Sequence, residues 1–268
     1  LIPWGESLWV GTTDIYHDQP DHWWATDEEI DYLLQEANEL LPEANYQRDE
    51  IILTRAGIRP LVRQQGPNVK EGAVSRAHKV VTARQHGGEK GLLICLGGKL
   101  TTHRSLAEEA VNKVCKELKR PSVHATRGKT ALLEPLTNSE RPNCLPEHLF
   151  ARIARVYGPY ARPLLDQISH DPDLAQPLVE GLPVIKAEVV HAIAMEWAAS
   201  LDDLFARRCM LTTEDLPWHT KTHELAQAAG SLMHWSDDEC VEQHQIWMKE
   251  IRRHDHFTAK KIASLNAR

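Results

Sequence analysis

Leu92-Leu93-Ile94-Cys95-Leu96-Gly97-Gly98-Lys99-Leu100-Thr101-Thr102-His103-Arg104 runs from an unbroken apolar stretch, through two glycines, into a polar segment. Five apolar residues bounded by turn formers read as a strand. The glycine pair allows a tight bend after it. Ser105 and Glu108 then stand at capping-box spacing, in which each side chain satisfies a backbone N–H of the other's turn. Behind them Leu106, Ala110, Val111, Val114 and Leu118 recur on one helical face. A strand that turns through Gly-Gly into a helix N-terminus offers unpaired N–H groups and partial positive charge. That arrangement suits an anion or an electron-rich ring. It also occurs as an ordinary turn, so the pattern alone defines a junction and not a ligand.

Upstream, Ile2–Trp4 and Leu8–Val10 are short strand-like runs flanking Gly5-Glu6-Ser7, a hairpin pattern, and Gly11-Thr12-Thr13-Asp14 closes the second. Thr26 and Glu29 predict a capped helix with Ile30, Leu33, Leu34 and Ala37 on one face. Ile51–Thr54 reads as a strand ending at Gly57, and Val80-Val81 as another, separated from the Leu92–Leu96 run by His86-Gly87-Gly88. Downstream, Pro121–Pro146 is rich in Pro, Asn, Ser and Thr and reads as a linker. Beyond it only helical patterns remain: Leu149–Val156, broken at Tyr157-Gly158-Pro159; a long one over Val184–Arg208 with Val189, Ile193, Trp197, Leu201 and Leu204 on one side; Leu225–Met233; and Asp237–Arg253. The fold class is therefore α+β: a strand-rich part over residues 1–125, a linker over 126–145, and an all-helical domain over 146–268.

The 268 residues are 42% hydrophobic and 26% charged, as in a chain able to bury a real core. A formal net charge of -7 argues against a nucleic-acid binder. The five cysteines form no CxxC pair and read as reduced thiols. No apolar run approaches the roughly 20 residues needed to span a bilayer. Leu1-Ile2-Pro3-Trp4 reads as the middle of a strand with no initiating Met, and the expectation is that the chain begins inside a domain.

Three cations stand in unusual contexts. Arg59 lies in Ala56-Gly57-Ile58-Arg59-Pro60-Leu61, where glycine and proline restrict the backbone. Arg76 lies in Val74-Ser75-Arg76-Ala77-His78, and Lys99 follows the glycine pair. Arginine meets phosphate oxygens bidentately and lysine acts as a point charge, so the three would grip a phosphate if they converged. Spacing leaves open whether they converge or lie as separate solvated charges. Elsewhere the plainer readings lead. His219 and His223 are four apart, but Thr220 stands where a zinc protease motif needs Glu, so no metal site is expected. His254-Asp255-His256 reads as a solvated end, Trp197 and Trp247 as core, and Trp23-Trp24 either as an exposed contact or as packing beneath a loop. Arg207 is placed to pair with Asp203.

Taken together, these segments resemble the FAD-dependent glycerol-3-phosphate dehydrogenases, specifically their C-terminal half. Trp4-Gly5 with Gly11-Thr12-Thr13-Asp14 is similar to the PWG…GTTD signature, and Ser75-Arg76-Ala77-His78 to SRDH. Gly97–Arg104 is similar to GGKLTTYR, and Ala56–Leu61 matches a further motif in the same order. Ala187-Glu188, Glu196 and Asp202–Arg208 resemble the family's AEI…E…DxLxRR helix. His103 stands where the family has Tyr and Ala77 where it has Asp, and Thr126–Leu136 lacks a glycine-rich turn.

The resemblance implies a flavoprotein in which FAD takes a hydride from C2 of sn-glycerol 3-phosphate, giving dihydroxyacetone phosphate, with electrons passed on to quinone. It implies that Arg59, Arg76 and Lys99 bind the substrate phosphate and its surroundings. Lys99 takes the catalytic role, and Gly97, Gly98, Lys99, Leu100 and Thr101 approach the flavin. It implies a homodimer in the full-length form, cytoplasmic and peripheral to the inner membrane. No G-x-G-x-x-G opens a βαβ unit in this sequence. The expectation is that a Rossmann half must be supplied, and that the chain alone binds FAD poorly. Two alternatives stand beside this reading: an oxidase that delivers electrons to oxygen, and a non-catalytic assembly subunit.

Overall fold

The computed structural model describes residues 1–5, 7–19, 21, 23–59, 77–122, 133–255, 258, 262 and 263. The chain forms two compact units, Leu1–Gly57 with Leu133–Arg268, and Ile58–Leu132.

The first unit opens on an antiparallel hairpin of β1 (Ile2–Trp4) and β2 (Ser7–Trp9), with Ile2 opposite Trp9 and Trp4 opposite Ser7. Gly5 takes the left-handed φ of 60° that the tight turn requires. Helix α1 (Asp27–Leu40) begins at the expected capping box, with Thr26 Oγ1 accepting from Glu29 N and Glu29 Oε2 accepting from Thr26 N. Ile30 and Ala37 are its buried residues. The other oxygen of Glu29 accepts from the Thr13 hydroxyl, so the Gly-Thr-Thr-Asp segment is tied to the start of this helix. Ile51–Thr54, expected as a strand, has no ladder partner among the described residues. Part of its hydrogen bonding goes to side chains far along the chain.

The second unit contains the antiparallel pair β3 (Lys79–Thr82) and β4 (Leu93–Leu96), joined through a 3-10 turn at Ala83–His86 that ends at left-handed Gly87. Helix α2 (His103–Glu117) follows. The capping box expected at Ser105 and Glu108 does not form. A 3-10 turn over Leu100–Thr102 runs directly into α2, which places Ser105 inside the first turn. Glu108 instead accepts from Arg104 one turn back, at 2.6 Å. None of the residues of α2 is buried.

The rest of the first unit is helical. Within the segment read as a linker, Asn138–Glu140 forms a 3-10 turn, Leu145 is fully buried, and Arg162 donates to Glu140 and to the carbonyls of Glu134 and Pro135. Helices α3 (Glu147–Tyr157), α4 (Arg162–His170) and α5 (Lys186–Glu196) follow. A π-helical stretch at Asp203–Arg208 and helices α6 (Thr222–Leu232) and α7 (Asp237–His254) complete the unit. Gly158, at φ 53°, ends α3 where the sequence places the break.

Two apolar clusters make the core. One gathers Phe150, Ile153, Leu164, Ile168 and Ile185, and the other Val189, Leu201, Leu204, Phe205, Leu225 and Trp247. Each such side chain contributes about 1.5–3 kcal/mol by leaving water. Between the clusters lies a buried polar knot. Arg152 donates to Glu188 at 2.5 Å and to the Cys209 carbonyl at 2.7 Å, and the Glu188 carboxylate also accepts from Ile185 N at 2.9 Å. This joins α3, α5 and the end of the π-helical stretch.

The long helix expected over Val184–Arg208 is two helical segments. It breaks at Trp197, which adopts a left-handed conformation (φ 57°) and is 87% exposed, so the core role expected for it is corrected. Two local interactions explain the break. Arg208 caps the carbonyl of Glu196, and Ser200 with Asp203 starts the next segment through reciprocal hydrogen bonds at 2.9 and 3.1 Å. Trp247 is buried as expected, and Arg207 pairs with Asp203 at 2.8 Å.

Candidate functional site

The strand–glycine–helix junction of the second unit is built as its residues dictate. Gly97 (φ 62°) and Gly98 (φ 99°) both occupy left-handed backbone that L side chains rarely adopt. A Cβ on Gly98 would stand 3.0 Å from the Cβ of His78, so side-chain bulk is excluded there as well. Lys99 is the exposed residue at the entry to the 3-10 turn, and its carbonyl accepts from Thr102 N (2.9 Å) and Oγ1 (2.8 Å). His103 caps the Leu100 carbonyl through Nδ1 at 2.6 Å. Leu100 is 87% exposed. The junction thus presents backbone, one ammonium and one apolar side chain to solvent, at the positive end of a 15-residue helix.

The junction is braced from behind. Glu109 bonds Lys113 at 2.9 Å and His78 at 3.3 Å, and Lys113 also reaches the Val80 carbonyl. The Lys113 hydrogen bond is the main influence holding the Glu109 carboxyl below its usual value, with His78 adding to it. This network ties α2 to β3 and so fixes the helix whose N-terminus the glycines expose.

Of the expected phosphate-binding cations, Lys99 and Arg59 belong to this unit and both are exposed. Arg76 lies outside the described residues. Gly97, Gly98, Lys99, Leu100 and Thr101 form one continuous turn. The space that a Cβ on Gly98 would take is already filled by His78 and Leu106, so this glycine lets the turn pack against its own unit. Among the described residues, no group of three or more metal-ligating side chains gathers. His223 instead lies edge-on to His244 of α7, with ring centroids 5.6 Å apart.

A second arrangement, within the first unit, has no counterpart in the sequence reading. The segment just before Ala56-Gly57 is held by residues beyond the end of α7. Asp255 Oδ1 accepts from Thr54 Oγ1 at 3.2 Å, Thr54 N at 3.4 Å and Thr258 N at 3.3 Å. Thr258 in turn donates to the Ile52 carbonyl at 3.4 Å, and Arg55 donates to Thr212 at 3.3 Å. Asp255 is 5% exposed and Thr258 3%, which corrects the expectation of a solvated end. A cavity of about 240 Å³ lies beside these residues, lined by Trp23, Arg55, Asp202, Thr212, Trp218 and Asp255 among others. Burial raises the Asp202 carboxyl above its usual value despite its 2.6 Å contact with Arg207. Trp23 therefore borders a cavity, while Trp24 remains 44% exposed.

Comparison with known proteins adds the remaining evidence. A family model described as FAD dependent oxidoreductase matches residues 1–104. Another, described as the C-terminal domain of alpha-glycerophosphate oxidase, matches residues 94–240. A glycerol-3-phosphate dehydrogenase of Synechocystis sp. is 31% identical over 260 residues, covering 91% of this chain and 46% of that protein. Glycerol-3-phosphate dehydrogenase 2 of Mycobacterium tuberculosis is 28% identical, covering 80% and 37%. The aerobic glycerol-3-phosphate dehydrogenase of Staphylococcus aureus is 29% identical, covering 77% and 39%. The chain spans less than half the length of each of these relatives.

Proposed function

Starting from the FAD-dependent glycerol-3-phosphate dehydrogenase family, to which this chain belongs, we propose that the chain supplies the C-terminal side of a site that oxidises sn-glycerol 3-phosphate to dihydroxyacetone phosphate. The observation that carries the reading is the Gly97–Gly98 junction, where left-handed glycines expose backbone beside Lys99 at the start of α2. FAD, when bound, supplies the acceptor for the hydride that leaves C2.

The chain's own residues have three tasks. Arg59 and Arg76 take the substrate phosphate through charge-assisted, bidentate hydrogen bonds. That grip is remote from the reacting carbon, so its binding energy holds C2 in register for transfer. Lys99 and the N-terminus of α2 would hold the bound flavin and stabilise negative charge on it, and both are in place beforehand. The His78–Glu109–Lys113 bracing keeps that helix end in place.

The names of the relatives support the substrate, and the match to a FAD dependent oxidoreductase over residues 1–104 supports the cofactor. Transfer to quinone, a homodimeric full-length form and contact with a membrane surface rest on the family resemblance and belong to the same proposal. Among the described residues no helix is long and apolar enough to cross a membrane. The test is dye reduction dependent on glycerol 3-phosphate, measured on this chain assembled with a flavin-binding half. Turnover supports the reading, and its absence in a flavin-loaded preparation contradicts it. The chain purified alone is expected to carry little flavin. A yellow, stoichiometric preparation would overturn that part.

A second reading has its own observation: residues 94–240 match the C-terminal domain of alpha-glycerophosphate oxidase. Peroxide formed in step with substrate consumption would favour oxygen as the acceptor over quinone.

A further inference from the structure

Within the second unit, His78 stands where two segments used by the substrate reading meet. In sequence it follows Arg76 by two residues. In space it packs against the glycine junction. The β3–β4 register sets Lys79 opposite Leu96, so the next step along the ladder brings His78 to Gly97. A Cβ on Gly98 would lie 3.0 Å from the His78 Cβ and 3.6 Å from Leu106 Cδ1, so the junction rests on both side chains. The His78 side chain is only 17% exposed, and its Nε2 lies 3.3 Å from Glu109 Oε2. The other Glu109 oxygen takes Lys113 at 2.9 Å, and Lys113 also donates to the Val80 carbonyl on β3. One carboxylate thus ties the imidazole to α2 while Lys113 ties α2 to β3. Second contacts of this kind restrict a side chain to one orientation, and a reacting site needs its parts held to within about 0.5 Å.

We propose that His78 is a positioning residue that keeps the glycine junction in register with the segment carrying Arg76, with Glu109 orienting its ring. The inference rests on the substrate and cofactor reading given above and adds to it one residue that aligns two parts of that site. His78 touches neither substrate nor cofactor in this account. It acts through the Gly98 backbone on one side and through Ala77 toward Arg76 on the other. Loss of register leaves the phosphate grip and the flavin junction each able to bind. It spoils the alignment of C2 with the flavin, where a misplacement of about 1 Å can cost a hundredfold in rate.

Two substitutions separate the ring's hydrogen bond from mere bulk. His78→Ala keeps the Cβ that packs on Gly98 and removes the ring. His78→Gln restores an N–H donor within reach of Glu109. Hydrogen–deuterium exchange on the chain itself reads the brace directly. His78→Ala should speed exchange at the junction, where Thr102 N bonds the Lys99 carbonyl, by about fivefold, the loss of roughly one hydrogen bond. Exchange in α3 and α4 should not change, and His78→Gln should recover most of the protection. In the flavin-loaded enzyme, His78→Ala should slow flavin reduction at saturating glycerol 3-phosphate by about tenfold, with flavin content and KM nearly unchanged. His78→Gln should return the rate toward normal. If His78→Ala does not fold, Glu109→Ala, on the half-exposed side of the brace, should show the same pattern at smaller amplitude.

Faster exchange spread equally over β3, β4 and the whole of α2 would overturn the proposal, because His78 would then be a general stability residue. An unchanged rate of flavin reduction alongside local loss of protection would overturn the positioning role, as would a raised KM at an unchanged rate. If glycerol 3-phosphate does not reduce the flavin of the unmodified enzyme, the substrate reading itself fails and the proposal falls with it. That outcome differs from normal reduction with a silent His78→Ala.

Discussion

The two compact units are built on different terms. Among the described residues, the first gathers nearly all the buried apolar side chains, in two clusters joined by the Arg152–Glu188 knot. The second carries the glycine junction and Lys99, yet its helix α2 has no buried residue and, among the described residues, its sheet has two short strands. One region holds structure by burial. The other holds a loop geometry through left-handed glycines and exposed charge. Among the described residues, the geometry of the glycine junction comes from local constraint and not from burial.

The largest expected effect tests the well-packed region. Replacing Glu188 with Ala leaves the Arg152 guanidinium buried without its carboxylate, and should cost about 3–5 kcal/mol, read from urea denaturation of the chain. A loss below about 1 kcal/mol would mean that the knot is solvated and that the contrast between units is overstated. Burial is the chief influence pushing the Glu188 carboxyl up, with the Arg152 charge opposing it, so the pair depends on that guanidinium to stay ionised.

The next effect tests the poorly packed region. Gly98→Ala forces a side chain into left-handed backbone, at a cost of about 1–2 kcal/mol, and places a Cβ against His78. The damage should stay local: helical content and the urea midpoint of the helical core should hold while flavin binding in the assembled enzyme weakens. Flavin affinity unchanged by this substitution would show that the junction does not approach the cofactor.

The smallest effect depends on pH. His191 is buried beside the Tyr157 ring, and burial holds its imidazole below the ordinary value of 6.5, against a smaller opposing influence from Glu196. The unfolded state therefore binds more protons just below pH 6.5. Stability should fall as the pH drops from 6.5 toward the folded value, and the loss should level off below it. His191→Leu, which has no group to titrate, should flatten this slope. Parallel pH profiles for the two proteins would contradict the assignment.

How much of this was legible depended on how far apart the partners lie. The Thr26–Glu29 box, the Gly5 turn and the β3–β4 pair are encoded within a few residues, and the structure has them. Ser105 and Glu108 have the same spacing as a true box, but the 3-10 turn at Leu100–Thr102 moved the helix start, and Arg104 took the carboxylate. Trp197 fell on an apolar stripe only if the helix continued, and Ser200 with Asp203 was the local signal that it did not. Helix α4 went unread although Pro163 in its first turn and Leu164, Leu165 and Ile168 mark it. The Asp255 contact had no local signal at all. It belongs to tertiary packing over some 200 residues, and its flanking histidines made the segment look solvated. Lys99 was readable as exposed at a helix start. Whether three cations meet one phosphate is a matter of convergence, which sequence spacing does not encode.

The proposed function puts Arg59 on the substrate phosphate and the Gly97–Gly98 junction against the flavin. The most direct measurement is anaerobic bleaching of the flavin by glycerol 3-phosphate in the assembled enzyme, compared with Arg59→Ala. Loss of a charge-assisted pair of about 1.5–3 kcal/mol predicts that the variant needs roughly ten to a hundred times more substrate for half-bleaching. Half-bleaching at the same concentration in both proteins would contradict the account.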